Sequence, residues 1–278
     1  MADGTVTACL LIIGNEILSG RTQDKNLAYI GEQLNELGVR LMEVRVIPDI
    51  EEVIVRTVNE VRPAFDYVFT TGGIGPTHDD ITADCVAKAF GVPLIVNPDA
   101  RAILEAHYKP GELNEARLRM ARTPEGASLI ENPVSKAPAF QMGNVFVMAG
   151  IPVIMQAMFQ SLRHRLAGGA PLRSRTVTVP LGEGTLAEPL AVVQDRFADV
   201  EIGSYPFTRD GRFAVRLVLR STDEARLDQV AAAVDRLIGD LGSRGVWEPA
   251  SGAGADGRNA EPPDRPGRVS EERATGSV

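Results

Sequence analysis

Cysteine, aromatic residues and long apolar runs are all scarce in this chain of 278 residues. The two cysteines, Cys9 and Cys85, sit in apolar surroundings and match no metal-ligand spacing. A disulfide framework and a structural zinc site are therefore not expected. Aromatics make up only 5% of the chain, so aliphatic side chains must supply most of the core. No apolar stretch approaches the roughly 20 residues that span a bilayer. The start, Met-Ala-Asp-Gly, has no basic segment followed by an apolar one, so no signal peptide is expected and the cytoplasm is the expected location. Basic excess is missing too: 29 Lys+Arg stand against 37 Asp+Glu, a formal net charge of −8. That balance argues against nucleic acid or an anionic membrane as the main partner.

What is present is enough for a large domain and a small one. Hydrophobic residues make up 44% of the chain. Over residues 1–168, strand-like and helix-like segments alternate. Ala8 to Ile13 is a continuous apolar run ending at Gly14, as a strand buried on both faces reads. Leu27, Ile30, Leu34 and Leu37 recur at helical spacing, and Gly38 closes that helix. Leu41–Ile47 and Tyr67–Thr71 predict further strands. Asp49 and Glu52 form a capping-box pattern for a helix carrying Ile54, Val58 and Val61. A helix is expected from Thr82 to Phe90, another behind Asn97-Pro98, and a third from Pro152 to about Leu166, after a strand at Val145–Ala149. Such alternation predicts an α/β fold, a doubly wound, mostly parallel sheet covered on both faces.

Gly168-Gly169-Ala170-Pro171 reads as a linker. Beyond it, residues 174–248 predict a smaller β-α-β-β-α unit whose last helix is capped by Ser221 and Glu224. Its topology resembles nucleic-acid-binding KH units, but it has no basic patch and no Gly-x-x-Gly clamp. Packing or homo-oligomer formation is its expected role. Residues 249–278 contain five Gly, four Pro and three Ser with no aromatic, a composition that predicts a disordered tail.

Ligands of open parallel sheets bind beyond the carboxyl ends of the strands. Three of these ends carry unusual residues. Thr70-Thr71-Gly72-Gly73-Ile74-Gly75-Pro76-Thr77-His78-Asp79-Asp80-Ile81-Thr82 places three glycines directly after a buried strand. Successive amides in such a loop can form an anion nest, although neither Walker A nor Rossmann spacing is met. Two carboxylates beside a phosphate cradle point to a hard cation such as Mg²⁺ between them, with Asp79 and Asp80 as its ligands. The alternative is a tight turn in which Asp80 caps the following helix. Gly14-Asn15-Glu16-Ile17-Leu18-Ser19-Gly20 follows the first strand, with Asn15 and Glu16 as candidates for a ribose hydroxyl or a metal-bound water. Met148-Ala149-Gly150-Ile151-Pro152 offers a second helix-start turn for an anion. Arg119 and Arg122 are read as sharing a helical face, with Arg119 a modest phosphate candidate.

Together these motifs resemble the molybdopterin-binding fold of molybdenum-cofactor biosynthesis proteins. They are most similar to the amino-terminal part of the competence/damage-inducible protein A (CinA) family. The resemblance covers about Val6 to Leu166. It rests on the Gly-Gly-x-Gly-Pro-Thr-x-Asp-Asp-x-Thr stretch, with Gly14, Glu16, Leu18, Gly20, Asn26, Pro124-Glu125-Gly126-Ala127 and Asn132-Pro133 in support. The smaller unit also resembles that family's, through Gly182-Glu183 and Ile202-Gly203-Ser204-Tyr205-Pro206.

The resemblance implies two ligand classes: molybdopterin or its adenylylated form, and nucleotide pyrophosphates such as ADP-ribose or FAD, cleaved with a divalent metal. It implies catalytic roles for Asp80, Asp79 and Glu16, the two aspartates also holding the metal. Ligand or phosphate contacts are implied for Thr71, Gly72, Gly73, Gly75, Thr77, Thr82, Gly14, Asn26, Arg119 and Gly150; Lys136, a departure from the family pattern, is a further phosphate candidate through its charge. Full-length members often continue into a nicotinamide-nucleotide deamidase domain, an activity not expected here. Two departures bear on catalysis. Ser135-Lys136-Ala137-Pro138-Ala139 stands where the family usually has Gly-Thr-Ala-Pro-Gly, and Ile154 stands where it usually has Glu. Binding with weakened hydrolysis, or binding alone, is the expectation that follows.

Overall fold

The computed structural model describes residues 5–209 and 211–249. The expected tail lies, apart from Pro249, outside them. Apolar runs become the central strands, as their burial requires. The first unit comprises β1 (Val6–Ile13), α1 (Asn15–Leu18), α2 (Asn26–Glu36), β2 (Val39–Ile47), α3 (Glu51–Val61), β3 (Tyr67–Thr71) and α4 (Thr82–Phe90). It continues through β4 (Leu94–Val96), α5 (Pro98–His107), α6 (Glu115–Leu118), β5 (Arg122–Pro124), β6 (Ser128–Ile130), β7 (Ala139–Met142), β8 (Val145–Met148) and α7 (Pro152–Leu162). Six of these strands form one sheet in the order β2-β1-β3-β8-β7-β6. The first three pairings are parallel, while β7 and β6 add an antiparallel edge.

Alternation along the central strands sorts the core into two layers, because successive side chains point to opposite faces. Leu10, Ile12, Phe69 and Met148 face α2 and α7 and pack with Ile30, Leu34, Met155 and Phe159. Cys9, Leu11, Val68 and Val147 face α3 and α4 and pack with Ile54, Val58, Cys85 and Val86. Stacking of Phe69 on Phe146, centroids 5.3 Å apart, concentrates the few aromatics in the first layer.

The smaller unit is built from β9 (Arg173–Val179), α8 (Glu183–Arg196), β10 (Glu201–Arg209), β11 (Arg212–Ser221), α9 (Glu224–Asp240) and β12 (Val246–Trp247). Its antiparallel sheet runs β10-β11-β9-β12, and Leu186, Leu217, Leu227 and Val234 fill its separate core. Between the two units, Gly169 N donates to Gly38 O at 3.0 Å, and Tyr67 Oη exchanges hydrogen bonds with Ala167 N and O. The glycine pair that reads as a loose linker is therefore docked on the end of α2.

Two caps differ from expectation. Asp49 does not cap α3; its carboxylate accepts from Asn15 N at 2.9 Å, and α3 begins behind Ile50 without a side-chain cap. In α9 the cap is Asp223, which accepts from Arg226 N at 3.1 Å, while Ser221 Oγ accepts from Asp223 N. The Asn97 cap forms as read, accepting from Asp99 N and Ala100 N.

Both thiols are wholly buried, and burial pushes each up to about 12, with Glu43 beside Cys9 and Glu51 beside Cys85 adding to it. An unfolded thiol ionises near 8.5. Their contribution to stability is thus complete below that value and is lost as pH rises toward 12. At pH 10 the expected loss is about 2 kcal/mol per thiol. Urea unfolding of the native chain and of Cys85→Ala at pH 8 and pH 10 checks this: the variant should show the shallower decline. An equal decline in both would remove the thiol from the account.

Candidate functional site at the strand ends

Three loops meet at Gly72. Its amide donates to Met148 O at 3.1 Å, which ties the end of β3 to the end of β8. Its φ is +103°, and a Cβ there would lie 2.1 Å from Ile13 O, the last carbonyl of β1. Gly150 approaches from the third side, a Cβ on it lying 3.3 Å from Gly72 Cα. Only glycine tolerates such a crossing, since backbone atoms cannot give way as a flexible side chain can.

Thr82, the first residue of α4, closes the glycine loop from beneath. It is fully buried; its Oγ1 donates to Gly72 O at 3.0 Å and its amide to Gly73 O at 3.0 Å. Gly73, at φ +69°, leaves room for that hydroxyl, because a Cβ would lie 2.2 Å from Oγ1. Asp80 closes the loop from the side. Its Oδ2 accepts from Thr77 N at 2.8 Å and from Thr77 Oγ1, and it lies where a Cβ on Gly75 would be 2.6 Å away. The helix-cap alternative for Asp80 is thereby corrected: α4 starts behind Ile81 with no side-chain cap, and the carboxylate points back at Thr77. Among the described residues, the amides of Gly73, Ile74 and Gly75 donate to no protein acceptor. This is the free-amide pattern of an anion nest.

The charges lie on the rim. Asp79 is two-thirds exposed, beside the exposed His78. The nearby Thr77 hydroxyl, its own amide and the His78 imidazole hold its carboxyl below the usual carboxylate range. Arg119 reaches the loop from a 3₁₀ turn after α6, its Nη1 donating to Thr77 O at 3.4 Å. Arg122 does not share its face: it opens β5, and its guanidinium lies 3.6 Å from Asp84. Glu16 is exposed on α1, folded back over Gly14, so that a Cβ on Gly14 would lie 2.5 Å from Oε1. Asp49 fixes that loop through Asn15 N, a role its place in a capping-box pattern conceals.

Asn26 links α2 to the third loop, its Nδ2 donating to Gly150 O at 2.8 Å. Among the described residues its buried Oδ1 has no partner, and neither has the buried Thr71 Oγ1. Asn26 therefore offers a buried, unpaired acceptor, which suits a hydroxyl or N–H group of a ligand. Lys136 belongs to a separate turn organised by Asn132, which accepts from Val134 N and Ser135 N and donates to Ala137 O. Lys136 has φ +63°, the left-handed region that non-glycine residues seldom adopt. No hydrogen bond or ion pair joins it to the glycine loop among the described residues. Ile154 is half-buried against the α2–α7 layer, near the buried Met158 and Leu162.

Residues 9–167 match a family model described as a probable molybdopterin binding domain. Residues 171–244 match the middle domain of FAD synthase. A CinA-like protein of Salinibacter ruber is 34% identical over 249 residues, covering 84% of this chain and 60% of that protein. A probable FAD synthase of Caenorhabditis briggsae is 28% identical over 262 residues, covering 84% of this chain and 49% of that protein. The chain thus spans 60% of the first of these relatives and about half of the second. The solved structure of the protein CinA from Thermoplasma acidophilum superposes with a TM-score of 0.55 at 33% identity, covering 59% of this chain and 99% of that one. Sequence and superposition agree, and the chain belongs to the probable molybdopterin binding domain family, among its CinA-like members.

Proposed function

We propose that the chain binds a phosphate-rich nucleotide or pterin over Gly72 and slowly hydrolyses a nucleotide pyrophosphate of the ADP-ribose or FAD type, using a divalent metal. The observation that carries this reading is the convergence of three strand-end loops on Gly72, with the unpaired amides of Gly73, Ile74 and Gly75 beside Asp79, Asp80 and Arg119. The names of the FAD synthase relatives favour a nucleotide as the ligand.

The residues fit one kind of metal site and not another. Among the described residues, no three His, Cys, Asp or Glu side chains converge as a protein-made cage would require. A Mg²⁺ that arrives on a pyrophosphate keeps several waters and needs only one or two carboxylates. Asp80 has one oxygen committed to Thr77 and one to spare, and Asp79 is exposed and held in its charged form. Bound there, the cation would polarise the phosphoryl group and offset its charge. The chain's own amides would orient the phosphate oxygens, and Arg119 would meet their charge. Glu16 would position the attacking water and accept its proton. Asn26 would accept from a ligand hydroxyl or ring N–H.

Ile154 favours the second reading, a non-catalytic molybdopterin-binding protein, because an apolar side chain replaces the family's usual carboxylate. The two separate in one assay. Purified protein is incubated with ADP-ribose or FAD and Mg²⁺, Mn²⁺ or Co²⁺, and AMP is followed by chromatography. AMP above the Asp80→Asn control is expected. Demonstrable binding without AMP would move the assignment to the binding role.

A further inference from the structure

A hollow of about 370 Å³ in the smaller unit gathers arginines that the sequence scatters. It lies between the end of α8 and the outer face of α9, lined by Arg196, Phe197, Arg226, Gln229, Ala232 and Arg236. Arg226, Gln229 and Arg236 follow helical spacing on one face of α9, so the fold itself aligns them. Phe197 is buried and anchors two of the cations: the Arg226 guanidinium lies 5.0 Å from its ring centroid and that of Arg196 lies 5.5 Å away.

The three arginines are not equally occupied. Arg226 is fixed, its Nε and Nη2 donating to the two oxygens of Asp199 and its Nη1 to Gln229. Arg196 and Arg236 have no ion-pair partner among the described residues. Arg196 closes α8, where the helix dipole favours a cation, but that accounts for one arginine of the three. All the charged residues lining this hollow are therefore positive, in a chain of net charge −8. Asp199 offsets Arg226 alone, so Arg196 and Arg236 bring two uncompensated positive charges to the hollow, which an anion would join.

We propose that this hollow binds the phosphoryl or pyrophosphoryl group of a small molecule, at a site separate from the glycine loop. Guanidinium forks match tetrahedral phosphate oxygens with paired N–H donors. The Phe197 ring is already covered by its own arginines, so no aromatic face is offered to a base, and recognition falls on the phosphate. The chain's negative charge disfavours a long polyanion and leaves a small one as the occupant.

The test is a titration of the full chain with inorganic pyrophosphate at about 0.1 M salt, which limits long-range attraction. Arginine Nε–Hε resonances, assigned by single substitutions, are the readout. The signals of Arg196 and Arg236 are expected to move, and to do so equally in Asp80→Asn, whose substitution lies in the other unit. The double variant R196Q/R236Q should bind about tenfold more weakly with a nearly unchanged melting temperature, because neither side chain holds an ion-pair partner among the described residues and only the exposed Arg196 contact with Phe197 is lost. R236Q alone should show a smaller loss. Unmoved signals, or movement that disappears in Asp80→Asn, would overturn the proposal. So would a single-stranded RNA that shifts these resonances at lower concentration than pyrophosphate.

Discussion

Gly72→Ala is expected to destabilise the chain by about 3 kcal/mol or more, beyond the cost of a left-handed backbone alone. The added Cβ would stand 2.1 Å from Ile13 O; Ile13 ends β1 and Gly72 directly follows β3, so the two cannot separate without straining the parallel β1–β3 pairing. Gly91 supplies the control. It closes α4 at φ +66° with nothing within 4 Å of an added Cβ, so Gly91→Ala should cost only about 1 kcal/mol. Urea unfolding of the two variants side by side separates conformational strain from collision. Equal losses would mean that the three loops do not meet at Gly72. Ligand binding should fall in Gly72→Ala well below that of Gly91→Ala, because the same displacement splays the Gly150 turn and the glycine loop apart.

The framework of that crossing was legible for a simple reason. Tyr67–Thr71 and Thr82–Phe90 are short, strongly patterned and punctuated by glycine, and the structure places those elements at the same residues. Composition and spacing could also locate the glycine loop, since three glycines after a buried strand have few other uses. The antiparallel edge was less legible. Ser128–Ile130 and Ala139–Met142 are too short for alternation to stand out, and their pairing depends on β8 already being in place. Strand β12, two residues long, has no local signal at all.

The misplaced caps share one cause. Asp49 and Ser221 each satisfy a local capping pattern, but a backbone amide elsewhere competes for the same oxygen. Asn15 N wins the first because the β1 and β2 ends lie side by side, a tertiary fact that spacing does not contain. Arg119 and Arg122 fail similarly: a helical wheel puts them together, whereas the chain leaves the helix between them to enter β5. The Arg196–Arg226–Arg236 hollow was illegible because α8 and α9 come side by side only when both pack on the small sheet.

Asp80→Asn is expected to abolish most metal-dependent activity, on the order of a hundredfold, while leaving the fold within about 1 kcal/mol of the parent. The two expectations follow from different oxygens of one carboxylate. The oxygen facing Thr77 accepts from its amide and hydroxyl, and an asparagine carbonyl oxygen in that position can accept both. The other oxygen is the one available to a cation, and an amide nitrogen there repels it. Asp80→Ala removes both functions, leaving Thr77 N without its acceptor, and should cost a further 1–2 kcal/mol or so. Thermal unfolding and AMP release, measured on all three proteins with and without Mg²⁺, resolve the assignment. Added Mg²⁺ with ADP-ribose should raise the melting temperature of the parent and not that of Asp80→Asn. If Asp80→Asn instead loses as much stability as Asp80→Ala and binds ligand like the parent, Asp80 only shapes the loop, and the metal belongs to Asp79 or to no residue of this site.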